Sequence, residues 1–288
     1  MNTSTNTSRI ISAMAVPEGA GVIVHRTIGT AALRNYDPFL LLDHIGSDHP
    51  DDYIAGFPPH PHRGFVTFTY MLDGHMQHQD SMGNTGDLGP GSAQWMKAAS
   101  GVIHSEMPKQ TDGLLRGFQL WINLPAANKM DHPEYQEFPA TAFPVVKTED
   151  YQLKVLIGCF GDTLAPIRDD LTQVTYLDVQ LQPGRHFQHQ LPAQNTNFIY
   201  VFEGNGQFNG QDVPLHSLVA AGRGDDAFDF AAGKEGARFI VVSGKPLHEP
   251  IVQHGPFVMN TREQIDQALK DFQSSQFVRD RAWVKRSQ

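Results

Sequence analysis

The sequence predicts an all-β protein of jelly-roll type, and three observations carry that expectation. First, the 26 Gly and 19 Pro of this 288-residue chain fall between short apolar runs and do not gather into one tract, as expected where many turns join many strands. Second, one run alternates cleanly, with Phe118, Leu120, Ile122 and Leu124 on one face and Gln119, Trp121 and Asn123 on the other. Third, Val201-Phe202-Glu203-Gly204 repeats the pattern of Met71-Leu72-Asp73-Gly74 at an offset of 130 residues, which points to a duplicated domain.

The elements follow in order. Met1 to Ser8 is rich in Asn, Thr and Ser, lacks the charged start and apolar core of a signal peptide, and reads as a frayed tail. From Val22 to Leu124 the turn signals Asp73-Gly74, Gly83-Asn84, Gly86 and Gly89-Pro90-Gly91 separate short antiparallel strands. Expected strands are Gly64 to Leu72, Met76 to Asp80, Ala93 to Lys97, His104 to Met107 and Gly117 to Leu124. Across 125–150 the chain carries Pro125, Pro133, Pro139 and Pro144, which places a linker at 131–150 between an N-terminal domain (1–130) and a C-terminal one (151–288). The second block has its own turns at Pro183-Gly184, Glu203-Gly204-Asn205-Gly206 and Asn209-Gly210. After Gly244, Thr261 precedes Ile265, Ala268, Leu269 and Phe272 at helical spacing, with Gln264 placed to complete a cap; this is the expected C-terminal helix. The basic stretch Arg279 to Gln288 reads as a solvated end.

Composition excludes some functions. A formal charge of −9 with no long basic run argues against direct nucleic-acid binding. No stretch reaches the roughly 18 apolar residues needed to cross a bilayer, so no membrane contact is expected. The single cysteine, Cys159, precludes an internal disulfide, and the apolar run Val155 to Phe160 around it suggests a buried structural thiol. A reducing, cytoplasmic setting fits.

The chemistry-bearing residues are two clusters: Pro59-His60-Pro61-His62-Arg63-Gly64, and His104-Ser105-Glu106 forty-two residues after His62. Each has the form ligand, spacer, ligand. On a strand this sets two metal-binding groups on one face, and Pro59 and Pro61 hold the first segment extended. If the two strands pair, His60, His62, His104 and Glu106 converge. Three imidazoles and a carboxylate suit Fe, Mn, Co, Ni, Cu or Zn, and leave coordination positions for a substrate. The plainer reading of two histidines one residue apart is an ordinary loop, and it is the second cluster that tips the balance to metal. His78 could stand behind such a site, although a rim histidine is the default reading. Trp95, Met96, Met107, Phe118 and Trp121 could wall a pocket, with core as the default. Laid over the first half, the second half has Gln190 and Pro192 at the His60 and His62 positions, and aligning Gly224 with Gly101 puts Ala227 and Asp229 where His104 and Glu106 stand. Its metal set is lost. His186 and His189, three apart, read as surface histidines.

Five blocks together resemble the pirin family of the cupin superfamily: Phe57 to Gly64, Gln94-Trp95-Met96, Gly101 to Pro108, Gln119 to Leu124, and Glu249 to Asn260. The resemblance covers nearly the whole chain and implies two tandem cupin β-barrels, with one mononuclear metal, usually iron, in the N-terminal barrel. It implies His60, His62, His104 and Glu106 as ligands. One departure is that the glutamate many pirins carry just past the paired histidines is absent here, where Phe65, Val66 and Thr67 stand; that glutamate is not a ligand in the family. Similar bacterial proteins open the flavonol ring of quercetin with dioxygen and release carbon monoxide, a role in which Glu106 would take the proton of the 3-hydroxyl. The resemblance also implies an alternative, a metal- or redox-responsive regulator that binds a partner protein. A cupin-type sugar isomerase is disfavoured, since no Lys or Arg cluster for a phosphate stands near the ligands.

Overall fold

Side chains of a strand in a two-layer fold alternate between core and solvent only where one layer is open to water. In the computed structural model, which describes residues 8–222, 227–279 and 283–286, the strand Leu115–Asn123 departs from that rule. Phe118, Leu120 and Ile122 are buried as expected, but Trp121 and Asn123 on the other face are buried too. This strand is central to an eight-stranded sheet, paired on one side with Phe39–Ser47 and on the other with Phe65–Asp73. Ala93–Lys97 and Glu134–Phe138 extend the sheet in one direction, and Val22–Arg26 and Met14–Glu18 in the other.

A second, four-stranded sheet runs in the order Phe57–His62, Val102–Pro108, Met76–Asp80, Thr85–Leu88. Val24, Ile45, Met71 and Leu115 of the large sheet pack against Met76 and Leu88 of the small one, closing a jelly roll. Each such fully buried aliphatic side chain stabilises by about 1.5–3 kcal/mol. The five strands expected in this half are all present, two of them, Met76–Asp80 and Ala93–Lys97, with the expected bounds.

The chain packs as two units. One comprises Met14–Thr30, Phe39–Ala142 and Leu247–Gln288; the other comprises Met1–Ala13, Ala31–Pro38 and Phe143–Pro246. Packing thus differs from a simple division at 131–150, because both ends of the chain cross over. The strand Arg9–Ser12 joins Ser217–Ala220 in the second unit. The C-terminal helix, Arg262–Gln273, belongs with the first half and not with the second barrel, since Ile265 and Ala268 pack on Phe257, Met259 and Phe277 beside the ligand-bearing barrel. The helix starts with the expected cap: Thr261 accepts from the Gln264 amide, and the Gln264 side chain accepts from Thr261 N–H.

Two buried basic side chains tie this stretch down. Arg63, 1% exposed, donates to Asp271 Oδ2 (2.8 Å) and to the Ser100 carbonyl (2.6 Å), and its guanidinium lies over the Phe277 ring. Lys129 Nζ donates to the Gly64 and Val258 carbonyls and to Asn123 Oδ1. Gly64 makes the approach possible: at φ +92° a side chain is strained, and a Cβ there would sit 1.9 Å from the Val258 oxygen.

The second unit is a nine-stranded sheet whose core includes Phe187, Phe208, Phe230 and Phe239. Gly74 (φ +77°) turns the chain between two strands of the first half, whereas Gly204 (φ +66°), expected at a turn, lies at an irregularity within the single strand Thr196–Phe208, still paired with Ala237. Gln190 is exposed, and Asp229 pairs at the surface with His186. Cys159 is exposed, contrary to the buried thiol expected from its apolar run. The core ends at Ile157, and Gly158 (φ +76°) turns the chain outward into the two-residue strand Cys159–Phe160. Met1 to Thr7, Gly224, residues 280–282 and residues 287–288 lie outside the described residues. Against the solvated end expected of the tail, Trp283–Arg286 is the eighth strand of the large sheet, parallel to Glu134–Phe138.

Candidate metal centre

The two ligand-bearing segments are neighbouring antiparallel strands, with His104 directly across from His60 and Val102 across from His62. A register shift between His104 and Glu106 brings Glu106 opposite Phe57. Alternation then does the rest: His60, His62 and His104 each offer a ring nitrogen, all within 4.8 Å of one another. His60 Nδ1 lies 2.8 Å from the Pro58 carbonyl, so that nitrogen carries the proton and Nε2 keeps its lone pair. His60 Nε2 and His62 Nε2 are 3.0 Å apart.

His62 and His104 are 2% and 1% exposed. Burial, and then the neighbouring imidazoles, hold both rings well below the ordinary histidine range, so they stay neutral as ligands must. His104 Nε2 is buried with no hydrogen-bond partner. A buried polar nitrogen left unpaired costs about 1–3 kcal/mol, and three neutral imidazoles gathered around such an atom fit a first-row transition ion.

Glu106 falls into a second group, with His104 and His78, again within 4.8 Å. It is 2% exposed and both its oxygens are held. Oε1 accepts from Gln94 Nε2 (2.6 Å) and Thr69 Oγ1 (3.1 Å), and Oε2 from Gln119 Nε2 (2.7 Å). The Trp121 indole donates to Gln119 Oε1 (3.0 Å), which turns that amide's NH2 toward Glu106. The Tyr135 hydroxyl lies 3.2 Å from Gln94 Oε1 and 3.0 Å from Glu137 Oε2, so its single proton is divided between that amide and a carboxylate. Gly86 leaves room for that hydroxyl, which would lie 2.0 Å from a Cβ there.

His78 is fully buried, not the rim histidine of the default reading. Its strand pairs with Val102–Pro108 so that His78 faces Glu106 and Asp80 faces His104. His78 Nδ1 is 3.4 Å from His104 Nδ1, and its Nε2 is 3.4 Å from Asp80 Oδ2. With His104 Nε2 as the metal-facing atom, Nδ1–H donates to His78 Nδ1, and His78 Nε2–H donates to Asp80. The spacing His78-x-Asp80, the same as His104-x-Glu106, is a sequence signal for this relay, although His78 read alone did not reveal it. No such signal marked Thr69 or Tyr135.

A cavity of about 320 Å³ opens on His60, His62, Gln119 and Trp121, with Leu41, Phe57 and Pro256 as apolar wall and Glu18, Arg26 and Asp43 as charged wall. His104 and Glu106 do not line it. Trp121 stacks on Phe65 and meets His62 edge-on, so it is a wall residue as well as packing. Trp95, Met96 and Phe118 are core. Val66, at the position of the absent glutamate, is a buried strand residue.

Comparison with known proteins identifies the family and the fold. The family model Pirin matches residues 21–122, and the model of the pirin C-terminal cupin domain matches residues 176–278. A pirin-like protein of Caulobacter vibrioides is 42% identical over 93% of this chain and 98% of its own. Pirin of Homo sapiens is 38% identical over 92% of each chain. The crystal structure of a quercetin 2,3-dioxygenase from Acinetobacter baumannii superposes with a TM-score of 0.87 at 30% identity, covering 93% of this chain and 96% of that one. Among the described residues no helix is long and apolar enough to cross a membrane. The chain is a two-cupin protein that belongs to the pirin family.

Proposed function

We propose that this protein is a metal-dependent dioxygenase that opens the ring of quercetin-type flavonols with dioxygen and releases carbon monoxide. The observation that carries the reading is the unpartnered Nε2 of His104 within a three-imidazole group whose other members open onto a cavity walled by Trp121. At about 320 Å³ the cavity lies at the lower end of the range for small-molecule sites. The activity named for the superposable Acinetobacter baumannii structure supports the substrate class.

His60, His62, His104 and Glu106 would hold one ion, iron by family resemblance, with Mn, Co, Ni, Cu and Zn as alternatives of compatible ligand chemistry. Bound there, such an ion supplies a Lewis acid for a hydroxyl oxygen and a partner for dioxygen. The chain's own residues do the remainder. Trp121 offers an aromatic face to a planar ligand and the apolar wall excludes water, while Glu106, behind the cavity wall, would take the hydroxyl proton only from a substrate oxygen brought to the ligand group itself. Gln94 and Gln119 set the aim of that carboxylate.

The test is elemental analysis of protein purified without added metal, followed by dioxygen uptake with quercetin. One bound first-row ion and uptake that disappears in Glu106→Ala support the proposal. Metal-loaded protein that turns over no faster than Glu106→Ala defeats it, and recovery of a stoichiometric partner protein whose affinity follows the metal's oxidation state would then favour a regulatory role.

A further inference from the structure

Part of the cavity wall has no task in the scheme above. Arg26 donates from Nε and Nη2 to Asp43 Oδ1 (2.7 Å) and Oδ2 (2.6 Å), and its Nη1 pairs with Glu18 Oε1 (2.6 Å). All three side chains line the same cavity as His60, His62 and Trp121. Their exposures grade from 8% for Asp43 through 13% for Arg26 to 36% for Glu18, so the outermost carboxylate is the accessible one.

A buried ion pair gains little over apolar packing, because desolvating two charges offsets their attraction. Burial lifts the Asp43 carboxyl to about 6 even with Arg26 bound to it. Charged groups kept at such cost in the wall of a cleft mark a binding surface. The sum of the three charges is negative, and the guanidinium has given a donor to each carboxylate. What the triad offers a guest is acceptor capacity on Glu18, held in place by Arg26, which is itself clamped in bidentate fashion by Asp43.

Resting on the flavonol reading, we propose that Glu18, oriented by Arg26 and Asp43, is a specificity residue that accepts hydrogen bonds from phenolic hydroxyls on the end of the substrate that is not at the ion. The cavity then has two unlike ends. The imidazole end takes oxygen atoms as ligands, and the Glu18 end takes hydroxyl donors and repels carboxylates or sulfates. Leu41, Phe57 and Trp121 pack the rings between them.

The experiment measures binding by quenching of tryptophan fluorescence, without dioxygen, on iron(II)-loaded wild type, Glu18→Ala and Glu18→Gln, with melting temperature as a check on folding. The probes are quercetin and galangin, a flavonol without hydroxyls on its outer ring. A hydrogen bond to a charged group predicts that wild type prefers quercetin by about tenfold or more, that Glu18→Ala loses about tenfold for quercetin only, and that Glu18→Gln falls between. Equal losses for both probes, or no preference in wild type, overturn the role of Glu18 and leave the flavonol reading standing. Failure of wild type to bind either flavonol overturns both.

Discussion

At the scale of single residues, the centre depends on which ring nitrogen of each histidine is left bare, and that is decided by its other nitrogen's partner. His60 is set by the Pro58 carbonyl and His104 by His78, which Asp80 sets in turn. His78→Ala should therefore weaken metal binding about 10–100-fold without removing a ligand, as loss of a group behind a metal ligand does, and chelator competition measures it. His78→Gln, which can still accept from His104 Nδ1, should recover part of the loss. The same logic applies to Glu106. Gln119→Leu removes the donor to Oε2 and leaves the Trp121 indole without its acceptor. The expected outcome is a fall in turnover with quercetin that exceeds any change in melting temperature. Sequence reading found the four candidate ligands because each pair lies two residues apart on one strand. It gave Gln94 and Gln119 no role, since their partners lie 12 and 13 residues away on other strands.

At the scale of elements, the ligand strand Phe57–His62 is anchored through the residue that follows it. Arg63 reaches Asp271 on the C-terminal helix, and Asp271 also accepts from Arg279 (2.6 Å) and Gln267 (2.7 Å). Burial alone would raise the Asp271 carboxyl, but these donors hold it below its ordinary value of 3.8. A depressed carboxylate contributes stability that is complete above the unfolded value and is lost as pH falls through the folded one. Acid should thus loosen the helix from the barrel only below about pH 4, and Asp271→Asn should flatten that part of the unfolding curve. Arg63→Ala leaves a buried carboxylate without its nearest buried partner and should cost about 3–5 kcal/mol in denaturant unfolding. Loss of the Thr261 cap in Thr261→Ala should cost about 1 kcal/mol. The helix and its cap were legible because capping residues and apolar spacing are local. Its seat beside the first barrel was not, because the apolar face of Ile265 and Ala268 would fit any core and the specific link, Asp271 to Arg63, joins residues 208 apart.

At the scale of the molecule, the last forty or so residues complete the first unit, contributing Pro256 to the cavity wall and Val258 and Asp271 as acceptors for Lys129 and Arg63. A chain ending at Pro246 should lose Arg63's partner Asp271 and Lys129's partner Val258 together, and with them cooperative unfolding of the metal-bearing unit and tight metal binding. Calorimetry and metal titration check this, and a truncated chain that binds metal as the full chain does would contradict it. The sequence by itself determined the β class, the helix and the two candidate ligand clusters, because strand alternation and capping act over a few residues. Tertiary structure alone decided that Cys159 is outside, that His78 is inside, that Glu106 sits among amide donors, and that the tail closes the first barrel. Each of these depends on which distant segment a side chain meets, and pairing between strands far apart in the chain is set by the burial of the whole core, not by any local pattern.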